Sequence, residues 1–405
     1  MAPALRTLWT QRGSLSFAWD VLRQGACSDC SLGASGIRAT APGTHLCGRR
    51  LDRLRRETAT AFSPGLLEDV KPLLDLSPRS LRGLGRIPRP MLRRGGAGFA
   101  PISWEDACNL AASRLRDERS GAAWVLRVDP AGLDLETLFQ LGRFAAWLER
   151  RRDGPAPLVE MALPSEERLL RVKARKQLGH ASSTASSIDL GPGDRALVVS
   201  DGDQPLLHEL IASLRSRGVL VTEAGQEDEW PSDMRHTLVF GRPGTTAGLA
   251  AGLPLPTGDG LEGITAAYFV GDLAARWCIG ANQVPVRIHQ ASFLDPTMLE
   301  IAPEAVLLLP ASPNADLPGG GSHLSDDLVA RFSPEVHGSP ASSARPHWEI
   351  PVRVAALADE DLGRKLAAHD AAELRSALAA ARPGLAGVLD LAAPEDSFRL
   401  PAPVA

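Results

Sequence analysis

A chain of 405 residues, 44% hydrophobic and 23% charged, is long enough for two or three domains with cores of their own. Its formal net charge of -4 removes any global electrostatic case for nucleic acid or an anionic membrane surface. No apolar run approaches bilayer-spanning length, and residues 1–25 lack an apolar leader, a small-residue cleavage site and a twin-arginine signal, so the expected location is the cytoplasm.

The first hundred residues are basic and rich in Gly and Pro. Within them, leucines three apart among arginines over 49–56 predict a short helix with one buried stripe. Residues 83–99 carry Pro88, Pro90 and several glycines and predict an ordered loop or hairpin-like crossing. Ser103-Trp104-Glu105-Asp106 forms a capping box that opens a helix running through Leu110 and Leu115.

Strands and helices then alternate. Short apolar runs at 123–128, 158–161, 196–199, 219–221, 237–240, 266–270, 284–288 and 305–309 predict strands, with helical patterns at 133–151, 204–217 and 273–279. Continuous Val/Leu/Ile strands separated by helices indicate parallel sheet covered on both faces. The expected fold class is therefore α/β, with two adjoining doubly wound parallel-sheet units behind an irregular cysteine-containing cap. Expected boundaries are 1–100 for the cap, 101–245 and 246–355 for the two units, and 356–405 for a C-terminal helix and extended tail. The linker 242–263 is rich in Gly, Pro and Thr.

The strongest chemical signal is Cys27-Ser28-Asp29-Cys30 followed by Cys47. Two thiolates of a C-x-x-C turn can hold one metal or one cluster iron, and a third can return from a loop. Ala34 stands where a longer cysteine run would place the next ligand, which leaves Asp29 or His45 as a fourth. A remnant turn with reduced thiols is the alternative. Cys108 and Cys278 sit in apolar surroundings and read as small core residues.

Several motifs resemble molybdopterin-dependent oxidoreductases of the formate-dehydrogenase type. They are the cysteine segment with His45-Leu46-Cys47, Leu84 to Met91, Phe99 with Ile102 to Ala107, Val286 to Gln290, Ala305 to Ala311, Gly319-Gly320-Gly321-Ser322, and Arg345 to Pro351, in the family's order. The resemblance implies molybdopterin guanine dinucleotide and an iron–sulfur cluster as cofactors. It places Gly319, Gly320 and Gly321 beside the cofactor and Cys27, Cys30 and Cys47 as metal ligands. It also implies a C-terminal barrel over the cofactor, a domain expected to be missing here.

Other departures weaken the catalytic expectation. The region matching the molybdenum ligand, 163–168, has no cysteine, and Ser165 suits a helix N-cap. His323 to Leu328 carries Asp326 and Asp327 where cations would meet phosphates. The expectation is thus a shortened family member without its own Mo/W site, working beside other redox subunits. Two alternatives are an active enzyme completed by a partner chain and a free-standing module for a nucleotide-like ligand. No catalytic residue is assigned. Gly241 to Thr246 can meet a phosphate or serve as a plain loop, His180, His289 and His323 can be acid–base groups or structural ones, and the N-terminal arginines can form a docking face for an acidic partner or a solvated surface.

Overall fold

The computed structural model describes residues 15–27, 48–96, 98–116, 123–150, 158–161, 190–200, 207–224, 236–240, 244–253, 264–271, 283–326, 328–337 and 343–400. Its strands are β1 (Met91–Arg94), β2 (Ala100–Pro101), β3 (Ala123–Val128), β4 (Leu158–Met161), β5 (Arg195–Ser200), β6 (Leu220–Ala224), β7 (His236–Phe240), β8 (Ile264–Val270), β9 (Val286–Ala291), β10 (Ala305–Pro310), β11 (Gly321–Leu324), β12 (Val329–Ser333) and β13 (Ser397–Arg399).

The main sheet has seven strands in the order β2-β1-β10-β9-β8-β3-β4. From β10 to β4 every pairing is parallel. β1 and β2 add an antiparallel edge, so the predicted crossing before residue 100 extends the sheet. β6-β5-β7 form a separate three-stranded parallel sheet, and β11-β12-β13 a three-stranded antiparallel one. The α/β class expected from the sequence is the class found. The large sheet draws strands from both sides of residue 245.

Alternation along these strands decides which layer each side chain joins. Leu126, Val128, Tyr268, Val270, Ile288, Leu307 and Leu309 pack in one core with the helices Trp104–Arg116, Leu135–Arg150, Glu349–Ala358 and Ala371–Ala381. Val306 and Leu308 instead pack with Phe62, Leu67, Leu81, Ile87, Met91 and Phe99 from the N-terminal cap. Both faces of the central strands are buried, so β8 and β10 read as continuous apolar runs, while β9 buries Arg287, His289 and Gln290 among its apolar residues.

Local signals behave as the capping rules require, with one difference. The Ser103 hydroxyl accepts from the Asp106 amide at 3.0 Å, but the Asp106 carboxylate accepts from that hydroxyl at 2.7 Å. Aspartate is one methylene shorter than the usual glutamate of this motif. The chain beyond Arg382, expected to be extended, instead forms a 3-10 helix over Pro383–Asp390 before β13, and Leu385 and Val388 of that helix are buried. The sequence shows no apolar run there long enough to announce it.

β3 leads to β4 on one side of the sheet, while β8, β9 and β10 extend the other way. The topological switch therefore lies between the carboxyl ends of β3 and β8, where an open α/β sheet forms its ligand crevice.

Candidate functional site

The crevice at the switch point is occupied by the protein's own groups. The Asp134 carboxylate caps the helix Leu135–Arg150, accepting from the Thr137 amide at 2.7 Å and the Thr137 hydroxyl at 2.8 Å. In the first turn of the helix, Glu136 is fully buried. It accepts from the Ser322 amide at 2.9 Å, the Ser322 hydroxyl at 3.0 Å and Arg375 Nη1 at 2.9 Å. Arg375 also lies over the Phe332 ring, 5.2 Å from its centroid. One carboxylate thus joins the helix Leu135–Arg150, β11 and the helix Ala371–Ala381.

Gly319, Gly320 and Gly321 form the turn that opens β11. Gly319 and Gly320 have φ of +73° and +70°, a left-handed backbone that glycine adopts without cost. A Cβ on Gly320 would stand 2.6 Å from both Phe332 Cζ and the Ser333 carbonyl oxygen, and one on Gly321 would stand 2.9 Å from Asp134 Cβ. The three glycines are therefore a tight turn packed on β12 and on the helix cap. Gly244, also left-handed at φ +84°, lies against the Pro130 carbonyl. It starts a helix of seven residues, Thr245–Ala251.

Burial governs the titrating groups here. Desolvation, followed by the nearby Glu136 charge, pushes the Asp134 carboxyl up to about 7. Desolvation first, then Arg53, takes His323 down to about 3. The Leu133 backbone faces the His323 ring, yet neither ring nitrogen makes a well-formed hydrogen bond among the described residues. Asp326 is buried and accepts from the Thr246 hydroxyl. The run that reads as a charge reversal thus turns a carboxylate inward.

His289 stacks on Phe269 at 5.0 Å, and burial holds its imidazole well below its ordinary range. His347 lies beside Gln290, whose amide donates to the His347 carbonyl at 2.8 Å and whose oxygen accepts from the Tyr268 hydroxyl at 2.5 Å. These histidines are core residues. Cys108 is buried, with its thiol pushed up to about 11 chiefly by desolvation, the small-core-residue role its surroundings predict.

Of the cysteine set, Cys27 is buried just beyond the helix Leu15–Gln24, where the Ala26 amide donates to the Ser333 hydroxyl at 3.3 Å. Cys30 and Cys47, with Cys278, His180 and Ser165, lie outside the described residues. Among the described residues no group of three or more His, Cys, Asp or Glu could hold a metal ion.

An open concave site lies elsewhere. The helix Gly48–Glu57 buries Arg50 and Arg53 along with Leu54, so its inward stripe is partly cationic. Arg50 donates to the Leu22 and Gly25 carbonyls at 2.8 and 3.1 Å, and Arg53 pairs with Glu57 at 2.7 Å. The opposite face carries Asp52, Arg55 and Arg56 outward. Facing them is the helix Pro78–Arg82, capped by the Ser77 hydroxyl, which accepts from the Ser80 amide at 3.1 Å. Between the two is a pocket of about 780 Å³ lined by Arg55, Arg56, Arg79, Arg82, Asp52 and the hydroxyl-bearing Thr58, Thr60 and Ser77, among others. Among the described residues its charged lining is four arginines and one aspartate. Arg79 Nη2 bridges both Asp52 oxygens at 2.9 and 2.8 Å, and Arg82 lies 3.6 Å from Asp295. The Arg79–Asp52 pair is solvent-exposed, so it contributes about 1 kcal/mol or less. The arginine repeat is visible in the sequence, but its pairing with Arg79 and Arg82 depends on the chain returning after the segment 64–73, which is anchored by the buried Leu67, Val70 and Leu73.

No family model matches the chain, and no curated protein does. Among solved structures it is similar to the formyltransferase/hydrolase complex (FhcABCD) from Methylorubrum extorquens in complex with methylofuran. The identity is 13%, the match covers 68% of this chain and 99% of that one, and the TM-score is 0.40. These results correct the expected membership of the molybdopterin-dependent oxidoreductases. No family model supports the oxidoreductase motifs. The expectation of an oxidoreductase working beside redox subunits is set aside with it. Among the described residues no helix is long and apolar enough to cross a membrane.

Proposed function

We propose that this chain is a binding protein that captures an anionic group in the arginine pocket between the helices Gly48–Glu57 and Pro78–Arg82. The observation that carries this reading is the convergence of Arg55, Arg56, Arg79 and Arg82 on one concavity of about 780 Å³ against a single lining carboxylate. Guanidinium forks match phosphate and carboxylate oxygens two at a time, and a concave wall of low dielectric strengthens their field. A pocket of this size is in the range that holds a small organic ligand. Pro78 and Leu84 add apolar wall beside the charges. In this reading the chain works in the cytoplasm, and the filled switch-point crevice serves stability.

Calorimetric titration with inorganic tripolyphosphate at low ionic strength tests it. Binding is expected, weakening as salt is raised, and falling about tenfold or more in the Arg79→Ala/Arg82→Ala protein, which corresponds to about 1.4 kcal/mol. An Arg364→Ala control alters a cation paired with Asp361 on the distant helix Glu360–Leu366 and is expected to leave binding unchanged. No saturable binding, or binding that both variants retain in full, would sink the reading.

A further inference from the structure

Among the described residues, Leu328 is the one non-glycine residue with a left-handed backbone, at φ +61°. It lies in the turn between β11 and β12, which also carries the buried Asp326 carboxylate. We propose that this turn is a latch on the carboxyl ends of β3 and β4, and that the C-terminal strand β13 is the strap that holds it shut. The proposal is independent of the arginine pocket.

Two features oppose the closed turn. A leucine in the left-handed region crowds its Cβ against the backbone, a cost that glycine avoids. A carboxylate withdrawn from water gives up its hydration, and Asp326 is only 1% exposed. Such a conformation persists where the surroundings impose it. Here they act from two sides. On one side the Leu328 carbonyl accepts from the Leu400 amide at 2.9 Å, and Val329, Ala330 and Arg331 pair with Arg399, Phe398 and Ser397 of β13. On the other side Asp326 accepts from the Thr246 hydroxyl. Within the turn, the Leu328 amide donates to the Ser325 carbonyl at 3.0 Å, and the Ser325 hydroxyl donates to the Val329 carbonyl at 2.9 Å. The buried Leu328 side chain adds to the closed form.

Thr246 carries the contact onward. It lies in the first turn of the helix Thr245–Ala251. Gly244, just before that helix, rests on the Pro130 carbonyl beyond β3, and Gly248 within it packs on Met161, the last residue of β4. Contacts therefore run from β13 through Leu328 and Asp326 to the carboxyl ends of β3 and β4. The strap itself is slight. β13 is three residues long, lies at the edge of its sheet and has no buried residue. Its anchor is Phe398, which lies hard against Gly387 of the 3-10 helix Pro383–Asp390. Peeling β13 away lets Leu328 return to an ordinary backbone conformation, gives Asp326 back to water and frees Thr246. The main core does not have to open for this to happen.

Native-state amide exchange of the full chain tests the latch, read at Leu328, at Gly248 and at Ile288 in β9. Thermal melts establish that each variant is folded. Phe398→Ala removes the anchor, and Leu400→Pro removes the amide that bonds the Leu328 carbonyl. Each is expected to speed exchange at Leu328 and Gly248 about tenfold, and at Ile288 far less. Thr246→Val leaves β13 untouched and removes the hydroxyl at the other end, and is expected to speed exchange at Leu328 as well. If Gly248 keeps the parent rate while Leu328 speeds up, nothing passes beyond the turn and the proposal is overturned. One common factor at all three amides also overturns it, because β13 then supports the whole fold and not a latch. A Thr246→Val protein with the parent rate at Leu328 shows that the Asp326 contact does not hold the turn, and sinks the proposal too.

Discussion

Asp134 is a carboxyl group with little water around it, beside a second buried carboxylate. Its proton is held to about pH 7 in the fold but leaves near 3.8 in an exposed aspartate. Between those values the native state binds one proton more than the unfolded chain, so this group's contribution is fully present at low pH and is lost as pH rises through about 7. Three buried histidines act in the opposite sense. His289, His323 and His347 are held below the ordinary 6.5, the latter two at about 3, mainly by desolvation. They resist protonation in the fold, so their contribution is present above 6.5 and is lost as pH falls toward 3. Below pH 6.5 the unfolded chain takes up protons at all three histidines, while among these groups the native state holds one at Asp134. Stability is expected to rise with pH between about 4 and 6.5 from these groups. Asp134→Asn keeps a capping oxygen and removes the opposing group. The variant is expected to show an acid limb steeper by about 1 kcal/mol per pH unit, and to be more stable than the parent at pH 8. Urea titrations at several pH values check this, and an unchanged slope with lower stability at pH 8 would contradict it.

Elements meet through a few buried polar contacts that sequence periodicity does not show. Glu136 joins the helix Leu135–Arg150 to Ser322 of β11 and to Arg375 of the helix Ala371–Ala381, across sequence separations of 186 and 239 residues. Removing one member leaves the other charged and buried. Glu136→Gln and Arg375→Met are each expected to cost about 3–5 kcal/mol. The double variant is expected to cost clearly less than their sum, because it leaves no orphaned charge. Additive losses in chemical denaturation would show that the two side chains do not act as a pair. This contact also explains which elements were legible. β8 and β10 are apolar on both faces and stand out as runs, and β3, β4 and β9 are marked by Val, Leu, Ile and Met between the polar Arg127, Glu160, Arg287 and His289. β11 reads Gly-Ser-His-Leu and is buried throughout, and Ser322 within it is satisfied by Glu136, far away in the chain. Neither a strand alternation nor an apolar run marks it. The candidate sites divide the same way. The glycine turn is visible as composition, but its closure depends on Phe332 and Asp134. The arginine-rich helix is visible as a repeat, but the pocket exists only because Arg79 and Arg82 are brought opposite to it.

At the scale of the whole molecule, the described residues divide by their cores rather than by position along the chain. Strands β3, β8, β9 and β10 share one core with Ile350, Val354, Leu362, Leu366, Leu378, Leu385 and Val388 from the last sixty residues. The C-terminal helices are thus a wall of the main body and not an appendage. The sheet β6-β5-β7 has a core of its own, built from Leu190, Ala196, Val198, Leu207, Ile211, Leu214, Val219 and Leu238. That core is small, and β6 at its edge has no fully buried residue, leaving Leu220 60% exposed. A small core buries less apolar surface per ordered residue and opposes conformational entropy less effectively. Its opening leaves the main core's contacts intact, so it is expected to open as a cooperative unit below the free energy of global unfolding. Native-state hydrogen exchange across low denaturant tests this directly. Amides of β5, β6 and the helix Leu207–Ser216 are expected to share one opening free energy with a denaturant slope smaller than the global one. Amides of β3, β8, β9 and of the helix Ala371–Ala381 are expected to exchange only through global unfolding. Val354→Ala, in the wall of the main core, removes buried apolar atoms and leaves a cavity. It is expected to lower the second class and not the first, until the two isotherms converge. If all these amides merge into one isotherm in the parent protein, the two cores unfold together and the division fails.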